Sequence, residues 1–352
     1  MMEDTKKKIV AHVLNTNSYS GAENVIMQII EGTKDDYDGV YVTKDGPIVK
    51  MLKERKIQYY LIKELSTKEI KKMCAQLHPD VIHAHDYTAS CICALSHGKV
   101  PILSHLHNNS SWIRTLHPYS ILYFLCAHKF SKILLVSQAI GEEYIFGKWL
   151  KRKFVDIGNP ISREPILGKV KSEDFQKKYD IACVARLTEA KNPKRFVNVI
   201  AKMKAQMPEV KCLWVGNGEL KEEVVAYAKE QGVDENIDFI GFQENPYPFL
   251  ASAKIFLLTS LWEGFGLSAF EAMTLGLPAF VSKVGGLTQI VNDSCGKLCE
   301  SDEDFASCLE VLKNEELYVK LSQGAIKRAE ELENKEEYMK KMKEIWNQIF
   351  ST

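Results

Sequence analysis

The chain has 352 residues, 45% hydrophobic and 26% charged, an ordinary globular composition of about two domains that excludes a disordered or collagen-like chain. No run approaches the ~18 uninterrupted apolar residues of a spanning helix, and the charged start, Met1 to Lys8, carries no signal-peptide pattern. Formal charge is zero but divided: residues 1–170 hold 23 Lys+Arg and 17 Asp+Glu, residues 171–352 hold 23 and 29, so the basic half is the one expected to meet something anionic.

Short apolar strands alternate with amphipathic helices. The first half predicts strands over 8–14, 39–43, 57–62, 79–84, 100–105, 131–136 and 153–157, with helices such as 21–32 and 66–78 between them. The second half predicts strands near 179–185, 210–215, 237–240, 254–259 and 278–282, and helices near 193–206, 219–231, 266–276, 302–313 and 315–332. Such alternation implies parallel sheets flanked by helices. Runs such as Ile133-Leu134-Leu135-Val136 and Ile255-Phe256-Leu257-Leu258 suit strands buried on both faces. Asn159-Pro160, Pro165, Gly168 and the charged stretch Lys169 to Lys178 mark a linker near 160–176. A last helix, about 335–350, carries the apolar stripe Tyr338, Met339, Met342, Ile345, Trp346, Ile349 and Phe350, which must bury somewhere. Nine scattered cysteines without a CxxC pair read as reduced, mostly buried thiols of a cytoplasmic protein.

Two such sheets facing each other make a cleft, and parallel sheets bind ligands beyond the carboxyl ends of their strands. The richest segment there runs from Ser260 to Met273. Glu263 lies in a loop and Glu271 about a turn and a half into the next helix, with Gly264 and Gly266 between them. Glycines let backbone amides approach a ligand, and a helix N-terminus favours negative charge. The mixture suits a ligand with both phosphate and hydroxyl groups; a plain tight turn before a surface helix is the competing reading. Gly264-x-Gly266-x-x-Ala269 also fits a dinucleotide turn, but the next strand ends at Val281-Ser282-Lys283 without the acid that a ribose needs.

Arg186 and Lys191, at another strand-to-helix turn, can both address a diphosphate, or can be ordinary surface cations. Val215-Gly216-Asn217-Gly218 resembles a phosphate loop without a Walker lysine, and Gly21 opens a helix after the first strand. His83-Ala-His85 and His105-Leu-His107 each place two imidazoles on one strand face. They read as packed or hydrogen-bonded core histidines, as cleft residues touching substrate, or as zinc ligands, though no further ligand set accompanies them. Between 99 and 153, eight Lys and Arg face only Glu142 and Glu143, interleaved with Trp112, Tyr119, Tyr123, Phe124, Phe146 and Trp149. That suits an anionic membrane surface, or a solvated basic face. Nucleic acid is not expected as a partner, given the zero charge and the lack of a nucleic-acid module.

Arg186…Lys191-Asn192, Val215-Gly216-Asn217-Gly218, Ile240-Gly241-Phe242, Glu263-x7-Glu271, Gly276-x-Pro278 and Gly285-Gly286-Leu287 occur in that order. In this the chain resembles the retaining GT-B glycosyltransferases of family 4, the glycosyl transferases group 1 type, of the bacterial surface-polysaccharide kind. The resemblance covers nearly the whole chain and is strongest over about 180–292. It implies an α/β protein of two doubly wound Rossmann-like domains: 1–165 for the acceptor, 166–334 for the nucleotide sugar, and a helix, 335–352, crossing back to the first. Arg186 and Lys191 would hold the diphosphate, Glu271 the ribose hydroxyls, and Glu263 with the amides of Gly264, Phe265, Gly266 and Leu267 the sugar. Gly216 and Asn217 would line the nucleotide, Phe242 and Gln243 would meet the base, and Gly21 a phosphate, although Ser20 replaces one of the two glycines usual at that turn. His107 would stand near sugar and acceptor, completing a catalytic set with Arg186, Lys191 and Glu263. Asn15 to Gly21 would line the opposite wall.

The implied reaction moves a sugar from a nucleotide-diphosphate sugar, a UDP-sugar being the expected donor, to an acceptor hydroxyl, lipid-linked or saccharide. It uses no cofactor and no metal, since no Asp-x-Asp site lies beside a phosphate loop. No first-domain carboxylate is singled out as a nucleophile, and the resemblance to the family implies front-face displacement. Location would be cytoplasmic, with peripheral contact at the inner face of the membrane. A same-fold sugar-nucleotide epimerase and a non-catalytic partner subunit are the alternatives; the second would have lost Arg186, Lys191 or Glu263, and all three are present.

Overall fold

A computed structural model describes residues 7–17, 21–96 and 98–351. Among them run seven strands of a first sheet: β1 (Lys8–Val13), β2 (Tyr37–Lys44), β3 (Gln58–Ile62), β4 (Val81–His85), β5 (Ile102–Leu106), β6 (Phe130–Leu135) and β7 (Phe154–Asp156). Six form a second: β8 (Tyr179–Val184), β9 (Cys212–Val215), β10 (Ile237–Gly241), β11 (Ala253–Leu258), β12 (Ala279–Ser282) and β13 (Gly296–Cys299). The orders are β3-β2-β1-β4-β5-β6-β7 and β10-β9-β8-β11-β12-β13, with every pairing parallel. Both sheets are doubly wound and reverse their strand order once, between β1 and β4 and between β8 and β11. The crevice at such a reversal, beyond the strands' carboxyl ends, is where this architecture places ligands.

The predicted strands all appear, with ends displaced by a residue or two. The sequence reading missed β13. Gly296 and Lys297 interrupt its apolar run, and a side chain at Gly296 would overlap the Ala279 carbonyl. Close packing here demands the residue that local propensity reads as a breaker. The helix expected over 302–313 is broken into Asp302–Ala306 and Cys308–Lys313.

The chain divides into two units, Met1–Pro160 with Asn334–Thr352, and Ile161–Glu333. The first division falls at Pro160, before the expected 165. Ser162 Oγ and Arg163 N already donate to Glu333 at 3.0 Å, and the Arg163 guanidinium to Glu330 at 2.7 Å, which ties this stretch to the second unit. The last helix, Lys335–Phe350, belongs to the first unit. Its Tyr338, Met339, Met342, Ile345, Trp346 and Ile349 are buried. Trp346 meets Tyr37 edge-on at 5.0 Å, Tyr37 Oη donates to Asn347 at 2.8 Å, and Lys343 pairs with Asp36 at 2.5 Å. Burying each large side chain of that stripe contributes about 1.5–3 kcal/mol.

Candidate active site

In the second unit the loops leaving β8 and β11 are fastened together. Leu261 N donates to the Ala190 carbonyl at 2.9 Å, and Thr259 Oγ1 donates to the Lys191 and Asn192 carbonyls at 3.1 Å. On that scaffold the Lys191 ammonium pairs with the Glu263 carboxylate, their side chains only 18% and 14% exposed. Two site residues picked separately from sequence are thus in contact.

Gly266 has φ 101° and caps the helix Leu267–Thr274; only glycine takes that conformation without strain. Gly286 N donates to the Glu263 carbonyl at 3.2 Å, and a methyl group at Gly286 would lie 2.5 Å from the Gly264 carbonyl oxygen. The Gly285-Gly286 turn therefore props the Glu263–Gly266 loop from behind. Ala269 N and Phe270 N donate to the Gly266 carbonyl, and the amides of Leu267 and Ser268 before them lie at the positive end of the helix dipole. Further along, Glu271 accepts from Tyr247 Oη at 3.4 Å. Burial pushes its carboxyl up to about 7, against the opposing effects of the Tyr247 hydrogen bond and the Lys169 charge.

Arg186 lies in the loop after β8, which pairs backbone to backbone with the loop after β9. Ala185 N donates to Val215 O at 3.0 Å and Leu187 N to Asn217 O at 3.1 Å. Gly216, at φ 140°, lies against the Ala185 carbonyl with no room for a side chain. Arg186 is exposed, and among the described residues its guanidinium has no hydrogen-bond or ion-pair partner. Asn217 Oδ1 accepts from Lys221 at 3.2 Å, and Gly216 N donates to Gly241 O at 2.8 Å. Phe242, next along, is 58% exposed, and Gln243 donates back to the Ile240 carbonyl at 3.2 Å.

In the first unit His107 follows β5 directly. Its Nε2 lies 2.8 Å from His85 Nδ1, and its backbone N donates to Asp86 Oδ1 at 2.9 Å. Burial holds the His107 imidazole down at about 3. Asp86 has a left-handed backbone, φ 66°, and burial, with Glu23 adding to it, pushes its carboxyl up to about 6. Glu23, itself buried, accepts from the Thr16 hydroxyl. Sequence reasoning passed over both carboxylates; for Asp86 the signal was an acid directly after the strand-end His83-Ala-His85. Gly21 begins the helix Gly21–Thr33. Of the wall expected over Asn15 to Gly21, residues 18–20, including Ser20, lie outside the described residues.

Residues 168–328 match the family model described as Glycosyl transferases group 1, and residues 20–164 match that described as Glycosyltransferase Family 4. An uncharacterised glycosyltransferase of Methanocaldococcus jannaschii is 26% identical over 234 residues; the match spans 60% of this chain and 57% of that protein. The UDP-Gal:alpha-D-GlcNAc-diphosphoundecaprenol alpha-1,3-galactosyltransferase of Escherichia coli is 22% identical over 343 residues, 86% of this chain and 87% of that one. Among solved structures, Anabaena HepE in complex with UDP and glucose superposes with a TM-score of 0.86 over 97% of this chain and 100% of that one, at 18% identity. The shared architecture is the GT-B fold.

Proposed function

Since the chain belongs to the group 1 glycosyl transferases, we propose that it moves a sugar from a nucleoside-diphosphate sugar to an acceptor hydroxyl with retention of configuration, in the synthesis of a cell-surface polysaccharide or glycolipid. The observation that carries this reading is the Lys191–Glu263 pair beside the helix that begins at Leu267. It sets a cation, a carboxylate and helix-start amides at one switch point. A diphosphate needs the first and last, and sugar hydroxyls need the second. A UDP-sugar is the favoured donor, because the similar HepE binds UDP and glucose.

Arg186 and Lys191 take the diphosphate oxygens as charge develops on them, and the helix N-terminus adds its dipole. These groups do the work of a metal, so the reaction proceeds without one. Glu263 and the amides of Gly264 to Leu267 orient the sugar. Glu271 accepts from the ribose hydroxyls, Gly216 and Asn217 line the nucleotide, and the backbone at Phe242 and Gln243 meets the base. From the first unit, Gly21 addresses a phosphate oxygen and His107 the sugar or the acceptor. The bond from C1 to the diphosphate oxygen breaks, the acceptor oxygen bonds C1 on the same face, and the acceptor proton passes to the departing phosphate.

We assign a lipid-linked acceptor, met by the first unit at the cytoplasmic face of a membrane. No helix among the described residues is long and apolar enough to cross one. Yet Leu116, Tyr119, Leu125 and Trp149 are each at least 60% exposed, with Lys148, Lys151 and Arg152 exposed beside Trp149. Apolar side chains with neighbouring cations suit an anionic lipid surface. The E. coli relative is named for a diphosphoundecaprenol acceptor.

The test is nucleotide release from UDP-, GDP-, ADP- and TDP-sugars, with lipid diphosphate-sugar acceptors, in the presence of a chelator. Release from one donor, lost in Glu271→Ala, is the expected outcome. A folded protein that neither binds nor turns over any donor overturns the reading.

A further inference from the structure

Five histidines pack together in the first unit: His12 on β1, His83 and His85 on β4, His105 on β5, and His107 just beyond it. His12 pairs in register with His83, and His85 with His105, so all lie on one sheet face. The first four are fully buried, and His107 is partly so. Two groups of three, His12-His83-His85 and His85-His105-His107, bring ring nitrogens within 4.8 Å of one another. Tetrahedral zinc, at 2.0–2.1 Å from each nitrogen, would hold them about 3.3 Å apart. The facing nitrogens are closer: His12 Nδ1 to His85 Nε2 is 3.1 Å, His85 Nδ1 to His107 Nε2 is 2.8 Å, and His83 Nε2 to His105 Nδ1 is 3.2 Å. Those are N–H···N hydrogen-bond lengths.

The first two contacts form one row, His12–His85–His107. A neutral imidazole carries a single N–H. His85 uses both nitrogens, so it donates through one and accepts through the other. Only two arrangements bond the whole row. In one, every ring is protonated on Nδ1: His12 donates to His85, His85 donates to His107, and the remaining His107 Nδ1–H is free to donate. In the other, every ring is protonated on Nε2, and His107 Nδ1 is a bare lone pair. The buried inner end chooses between them. Among the described residues His12 Nε2 has no partner, and its ring lies 5.8 Å from the indole of Trp346, whose own Nε1–H has none among them either. A second orphaned N–H beside that indole is worse than an orphaned lone pair, which an indole N–H complements.

We propose that His12 and His85 are positioning residues that lock His107 as its Nδ1–H tautomer, making its outer nitrogen a fixed donor to a ligand oxygen rather than a base. That the oxygen belongs to a sugar or an acceptor rests on the function proposed above; the tautomer row does not.

The test is ring-nitrogen NMR on protein labelled with 15N-histidine and made without a histidine tag. Two-bond 1H–15N correlations read which nitrogen of each ring is protonated. His12, His85 and His107 all as Nδ1–H is the expected result, against the Nε2–H form that free histidine favours. Nε2–H rings along the row overturn the proposal, as does a purified protein carrying one zinc per chain with the ring N–H signals replaced. His12→Asn keeps an N–H near the Nδ1 position and is expected to leave His107 as Nδ1–H. His12→Leu removes it and is expected to give a mixture of His107 tautomers. Identical His107 spectra in the two variants exclude the coupling, and should His12→Leu not fold, the native spectrum and His12→Asn decide. Adding UDP-glucose is expected to shift the His107 Nδ1 signal. An intact Nδ1–H row that ignores every donor and acceptor overturns the ligand contact and counts against the proposed function, while the row itself stands.

Discussion

Lys191 and Glu263 form an ion pair across the switch point of the second sheet, the lysine carried by the loop after β8 and the glutamate by the loop after β11. Their backbones are joined as well, by the Leu261 to Ala190 hydrogen bond at 2.9 Å. A cation held this way is placed before any ligand arrives, which is what electrostatic stabilisation of a leaving group requires.

Lys191→Ala and Glu263→Ala are each expected to lower kcat/KM by about 10²- to 10³-fold, the range for losing one pre-placed stabilising group. Because the two side chains touch, the double variant should lose much less than the product of the single losses. Steady-state kinetics on the three variants decides it; a fully multiplicative double variant would separate the two residues functionally.

Arg186→Ala should produce a comparable kinetic loss with no change in melting temperature, since its exposed guanidinium makes no hydrogen bond or ion pair to a described residue. Lys191→Ala should also destabilise the fold, by about 1–3 kcal/mol, because it strands a mostly buried carboxylate. Kinetics and thermal melting on both variants test the contrast, and Arg186→Ala with native turnover would remove that residue from the site.

Donor affinity should depend on pH through Glu271. Burial raises its carboxyl to about 7, and ribose hydroxyls bond best to the ionised form. Affinity therefore rises as pH passes upward through 7, by about tenfold between pH 6 and pH 8. Linkage runs the other way for the empty protein. A raised carboxyl costs nothing below its unfolded value and its full penalty above its folded one, so Glu271 removes stability as pH climbs to about 7. Calorimetric titration with UDP should find the slope, and find it absent in Glu271→Gln.

Gly286→Ala should impair the site although residue 286 carries no chemistry. Its methyl would press on the Gly264 carbonyl at 2.5 Å and displace the Glu263–Gly266 loop, at a cost of about 1–3 kcal/mol. Turnover should fall as in Glu263→Ala, while Gly98→Ala, where an added methyl meets nothing closer than 3.9 Å, serves as the control. Native kinetics in Gly286→Ala would mean that the loop does not rely on this prop.

Flotation with vesicles containing anionic lipid should retain the native chain and lose a Leu116→Ser, Tyr119→Ser, Trp149→Ser triple variant. Added salt should weaken binding, because screening removes the contribution of Lys148, Lys151 and Arg152. Equal flotation with neutral vesicles, or none with either, would end the membrane assignment.

The alternation of elements, the division into two sheets and the glycine-carboxylate segment from 260 to 273 were legible in the linear chain, because they are local. Hydrophobic period reports which face of an element is buried, and glycine and helix-start signals report backbone shape. They do not say which neighbour does the burying. That is why Lys191 and Glu263 read as separate hints, and why His12 was passed over beside the two histidine pairs. Both groupings depend on β1 lying beside β4 and β8 beside β11, an order produced by crossover connections between strands distant in sequence. Asp86 and Glu23 stayed hidden for a related reason: a carboxylate looks like surface until the fold buries it. Tertiary structure alone decided the company each polar residue keeps, and burial together with that company determines its charge and its chemistry.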